Sequence, residues 1–180
     1  MKVASSKLKV KSLNGGFSLF ELLVYVSILL VLTVVLVGVF TSISRSSGQT
    51  ESRSEVNSNL RFAFDKLSQD INIATQISTP AIAGDTANTI VMTSGGSTVT
   101  YCIVANQLKS QVTGACNASS EAVTSSKVIV NSLLFTRIEN TNTALNKTFI
   151  SIKADMNIKY NSSSPDWQFS STKVTTIPVE

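Results

Sequence analysis

The sequence predicts an α+β chain: one long N-terminal helix, transmembrane in its first half, whose second half packs on an antiparallel β-sheet. Residues 22–44 carry no charge, and the run over residues 22–40 is almost wholly apolar. An amphipathic stretch with apolar residues three and four apart follows it, and beyond residue 88 the period falls to two. These shifts of pattern separate a helical stalk from a β-rich domain.

Lys2, Lys7, Lys9 and Lys11 precede the apolar run, with no acidic residue among them. The chain has 15 Lys and Arg against 11 Asp and Glu, and those four lysines account for the whole formal charge of +4. The remaining basic residues are scattered, whereas nucleic-acid binding needs them clustered to release counterions. Nucleic acid is therefore not an expected partner.

The apolar run comes next. About 20 helical residues rising ~1.5 Å each cross a bilayer core of ~30 Å. Val31, Val34, Val35, Val37 and Val39 suit a strand in water, but in lipid only a helix satisfies its own backbone. The basic leader orients the N-terminus to the cytoplasm and the C-terminal domain outside. A secretory signal peptide shares the basic start, and Ser42, Ile43 and Ser44 offer small residues for cleavage; its apolar region is shorter, about 7–15 residues. A plain signal-anchor fits the length. Neither accounts for Glu21, an acidic residue in an otherwise apolar membrane segment.

The stretch Gly16-Phe17-Ser18-Leu19-Phe20-Glu21-Leu22-Leu23-Val24 resembles the N-terminal motif of type IV pilins and type II secretion pseudopilins. The resemblance covers about residues 15–40. It implies that a prepilin peptidase cuts after Gly16, that Phe17 becomes the N-methylated first residue, and that Glu21 is the assembly charge. In that family the glutamate is thought to meet the N-terminal amine of a neighbouring subunit. The expected segments are then a removed leader, 1–16; a transmembrane and filament-core helix, 17–44; an amphipathic continuation, 45–78; and a globular domain, 79–180. Many major pilins carry proline where this chain has Gly38, which turns the expectation toward a minor pilin or pseudopilin.

In the second helical half, Val56, Leu60, Ala63, Leu67, Ile71 and Ala74 fall on one face. Pro80 and Gly84 predict a helix end near residue 78, and Gly48 with its serine neighbours predicts a break or bend near 45–50. Residues 59–71 resemble the same region of J-type pseudopilins and W-type minor pilins, an order that an ordinary sheet-packing helix also explains. Strands are expected at 89–93, 98–104 and 108–112, within 127–138, and over 147–159. The segment 167–174 resembles the closing strand of the same minor pilins.

Cys102 and Cys116 are the only two cysteines, and in an oxidising exterior they could close a loop of ~15 residues or stay free. Trp167 and Phe169 stand at i,i+2, the spacing of an aromatic pair on an edge strand or at a partner contact. Asn117, Asn146 and Asn161 start glycosylation-type triplets that chance explains in so Asn- and Ser-rich a chain. Histidine is absent and no G-x-S-x-G elbow occurs, so no nucleophile–base pair suggests an enzyme, and no metal or other cofactor is implied. The resemblance implies prepilin peptidase, other pilin subunits, an inner-membrane assembly platform and, before assembly, membrane lipid as partners. A major pilin, or a signal-anchored ligand-binding domain, remains the alternative.

Overall fold

The computed structural model describes residues 18–144 and 146–179. Contacts divide the chain into two units, the first ending at Ile43 and the second beginning at Ser44. The described part of the first unit is helix throughout apart from Ser18. It belongs to α1, Leu19–Asn72, a helix of 54 residues. All of its side chains up to Ile43 are exposed, including Leu22, Leu29, Val34, Leu36 and Phe40. A helix apolar all round requires an apolar surrounding, which for a span of this length is a bilayer or other protein.

In the second unit α1 becomes one-sided. Val56, Leu60, Ala63, Phe64, Leu67 and Ile71 are buried along one face, while Phe62 points outward. Lys66 and Asp70 pair at i,i+4, 3.6 Å apart. The buried face meets two antiparallel sheets rather than the single one expected.

The first sheet contains β1 (Gln76–Thr79), β3 (Ile90–Ser94), β4 (Ser97–Val104), β5 (Gln107–Val112) and β6 (Glu121–Ala122), in that spatial order. The second orders β2 (Thr86–Ala87), β7 (Val128–Asn142), β8 (Lys147–Tyr160) and β9 (Ser170–Pro178). Ile90, Met92, Tyr101 and Leu108 from the first sheet join Phe135, Ile152, Met156 and Ile158 from the second in one core with the helix. Each such side chain contributes about 1.5–3 kcal/mol on full burial. β8 reads Ile152, Ala154, Met156, Ile158 inward and Ser151, Lys153, Asp155, Asn157 toward solvent, the alternation that its sequence requires.

Turn chemistry sets the register of the first sheet. Ser94 pairs with Ser97 across Gly95 and Gly96, whose φ values of 58° and 81° suit a two-residue hairpin. Val104 pairs with Gln107 across Ala105 and Asn106, also at positive φ. The Asn106 carbonyl accepts the Val130 amide at 2.8 Å, tying this hairpin to β7 of the other sheet.

Four further expectations are corrected. Residues 45–50 are helical, without the expected break. The helix ends at Asn72, not near 78, because the Thr75 amide turns to the Thr93 carbonyl at 2.8 Å and Gln76–Thr79 pairs with β3. Periodicity alone does not separate these outcomes, since Ala74 and Ile77 fit the helical face and are buried either way. The β-rich part therefore starts at Gln76. The closing strand is Ser170–Pro178, and Trp167 lies before it in a 3-10 turn, Pro165–Trp167, where Pro165 sets the backbone.

Candidate functional site: the apolar helix and its acidic residue

Glu21 is the third residue of α1 and lies in its first turn, where the helix dipole favours a carboxylate. It is exposed, and no other residue from 18 to 44 carries a charge. The first cation after it in the sequence is Arg45. Gly16 and Phe17, the expected processing residues, lie outside the described residues, as do Lys2, Lys7, Lys9 and Lys11.

The span around Glu21 is built for an apolar medium. Its best 18-residue window has a mean hydropathy of 3.0. Hydroxyls within it bond back to their own helix: Ser27 to the Val24 carbonyl at 2.8 Å, Thr33 to Leu29 at 2.7 Å, and Thr41 to Gly38 at 2.9 Å. In lipid such back-bonding removes the cost of an unpaired hydroxyl. A carboxylate cannot back-bond in this way, because helix carbonyls repel it; the first turn favours its charge through the dipole but supplies no counter-ion. This helix is compatible with a single-pass membrane anchor, and Glu21 is the group in it that still calls for a cation. Gly38 faces open space, so nothing within the chain requires a glycine there.

The other candidates sit in the second unit. Cys102 on β4 and Cys116 are joined by a disulfide, with Cα atoms 6.4 Å apart. The loop it closes is also held by Lys109 Nζ, which donates to the Ala118 carbonyl at 2.5 Å, and by the Ser120 hydroxyl, which donates to Gln111 Oε1 at 2.7 Å. Trp167 and Phe169 do not form a pair on a strand. The Trp167 indole lies directly on the helix backbone at Gly48, and Phe169 packs against the core with the Arg53 guanidinium 5.6 Å from its ring centre.

An open groove of 410 Å³ beside Phe169 is bordered by Asn131, Lys159, Tyr160 and Gln168. It offers polar contacts but no convergent acid–base pair. Among the described residues, no three His, Cys, Asp or Glu side chains come together to hold a metal. One buried polar contact is structural: the Tyr101 phenol, fully buried, donates to Asp70 Oδ2. Burial, and then the Asp70 carboxylate, push that phenol well above its ordinary range. No spacing in the sequence joins Tyr101 to Asp70, or Gly48 to Trp167. The one visible signal was a glycine inside a polar helical stretch.

No protein-family model, curated protein or solved structure matches this chain.

Proposed function

We propose that this chain is a minor pilin or pseudopilin, a structural subunit of a type IV pilus or type II secretion filament that acts in filament initiation and assembly. The observation that carries the reading is Glu21, a lone carboxylate in the first turn of an apolar helix with all its faces exposed. It stands four residues after Phe17, at the spacing of the prepilin motif. Cleavage after Gly16 would remove the four lysines and leave a cationic amine on Phe17. A neighbour's amine then supplies a cation for Glu21, and in an apolar setting leaving either charge unpaired is costly. Register between subunits follows from that pairing.

The apolar helix anchors the subunit in the inner membrane before assembly, and in the filament the helices of other subunits replace lipid. The partners are prepilin peptidase, an inner-membrane assembly platform and neighbouring pilins; the chain acts as no enzyme. Gly38, where many major pilins have proline, favours the minor-subunit reading over a major pilin. The N-terminus of the chain recovered from its host membrane tests the proposal. Methylated Phe17 is expected; an intact Met1, or an end near Arg45, overturns it in favour of a signal-anchored or secreted domain.

A further inference from the structure

Residues 44–55 contain no apolar side chain; they comprise five serines, one threonine, Gly48, Gln49 and four charged residues. Glycine, serine and threonine are poor helix formers, and no hydrophobic face here drives helix packing. The segment is nevertheless helical throughout, and Gly48 and Ser52 are its only buried residues. What covers Gly48 is the Trp167 ring: a Cβ at that position would lie 2.3 Å from its Nε1 and 2.4 Å from its Cε2.

The other ties flank this contact. Arg45 meets Asp166 at 3.6 Å and Glu51 meets Lys127 at 3.7 Å, with at least half of each side chain exposed. Pairs so exposed are weak and screened by salt. Arg53 covers Phe169, and the Ser125 hydroxyl donates to Glu55 at 2.9 Å, one residue before the continuous core begins at Val56. Trp167 itself stands in a short turn and is 36% exposed, so its ring can leave without opening the sheets.

We propose that residues 44–55 are a conditional helix, held by the Trp167 turn seated on Gly48, and that they become extended chain when that turn lifts. The remainder of the second unit keeps its own core, which starts at Val56. About 12 residues passing from ~1.5 to ~3.3 Å per residue lengthen the segment by about 20 Å. The turn is thus a clasp that sets the length of the segment before Val56. This inference does not depend on the pilin reading, since it concerns only contacts within the second unit.

Limited trypsin digestion of the full chain in detergent micelles tests it, because Arg45 and Arg53 lie inside the segment and proteases need locally extended backbone. Trp167→Ala is expected to speed cleavage after Arg53 by about tenfold or more, while Lys109 and Lys153 in the strands stay protected. Gly48→Ala decides the cause. It raises intrinsic helix propensity, so a helix held by propensity becomes more resistant; a helix held by the clasp becomes more sensitive, because the new methyl displaces the indole. Unchanged or slower cleavage in Gly48→Ala overturns the proposal. So does cleavage at Lys109 and Lys153 in step with Arg53, which makes the release global rather than local.

Discussion

Replacing Tyr101 with phenylalanine removes one hydroxyl from the centre of the fold and leaves the ring in place. Tyr101 is fully buried and its phenol donates to Asp70, whose side chain is 14% exposed and otherwise paired with Lys66 at 3.6 Å. A hydrogen bond to a charged group is worth about 1.5–3 kcal/mol, so Tyr101→Phe should destabilise by ~2 kcal/mol. For a unit of roughly 140 residues unfolding with ~2.1 cal/mol/K each, that lowers the melting temperature by about 7 °C.

The pH dependence makes this prediction sharper. Well below pH 10 the phenol is protonated in both folded and unfolded chains and contributes no slope. Its folded pKa lies above that, so past pH 10 the unfolded chain releases the proton while the folded one keeps it, and stability falls by up to ~1.4 kcal/mol per pH unit. The variant lacks this loss. Its deficit of ~2 kcal/mol at pH 8 should therefore shrink to below ~1 kcal/mol at pH 11. Denaturant unfolding of both proteins in detergent at the two pH values measures the gap, and other titrating groups cancel in the difference. A variant as stable as the parent at pH 8, or a gap unchanged at pH 11, would refute the reasoning.

Two further predictions concern the cysteines and Glu21. Cys102→Ser with Cys116→Ser opens a loop of sequence separation 14 and should cost ~3 kcal/mol, or about 10 °C, by loss of the unfolded-state constraint. The same drop should follow reduction of the parent protein, and a melting temperature insensitive to reductant would contradict it. On the proposed pilin reading, Glu21→Ala should insert and be processed normally, yet enter filaments about 100-fold less, since a neighbour's amine would be left unpaired in an apolar setting. Quantifying the subunit in sheared filaments against the membrane fraction checks this, and normal incorporation would remove Glu21 from the assembly step.

The two halves of the chain differed in how much their sequence revealed. The apolar span was legible because solvent transfer acts residue by residue, and 23 uncharged positions in a row leave few alternatives to a helix in an apolar medium. The helical face from Val56 to Ile71 was legible for the same local reason, as was the alternation of β8. The Gly95-Gly96 hairpin was equally plain, because its turn residues act within four positions.

Contacts distant in sequence were not legible. Helix termination at Asn72 depends on β3 receiving Gln76–Thr79, a partner some 15 residues on. The division into two sheets depends on which strands β2 and β6 find, and two-residue strands carry no periodic signal. At Gly48 local propensity pointed to a break, yet Trp167, more than a hundred positions later, packs on the glycine and the helix continues through it. Sequence by itself determined the apolar helix, its single carboxylate and the α+β class, because solvation and short-range turns act locally. Tertiary structure alone decided where the helix ends, how the strands divide into sheets and what covers Gly48, because each is a competition won by a partner far along the chain.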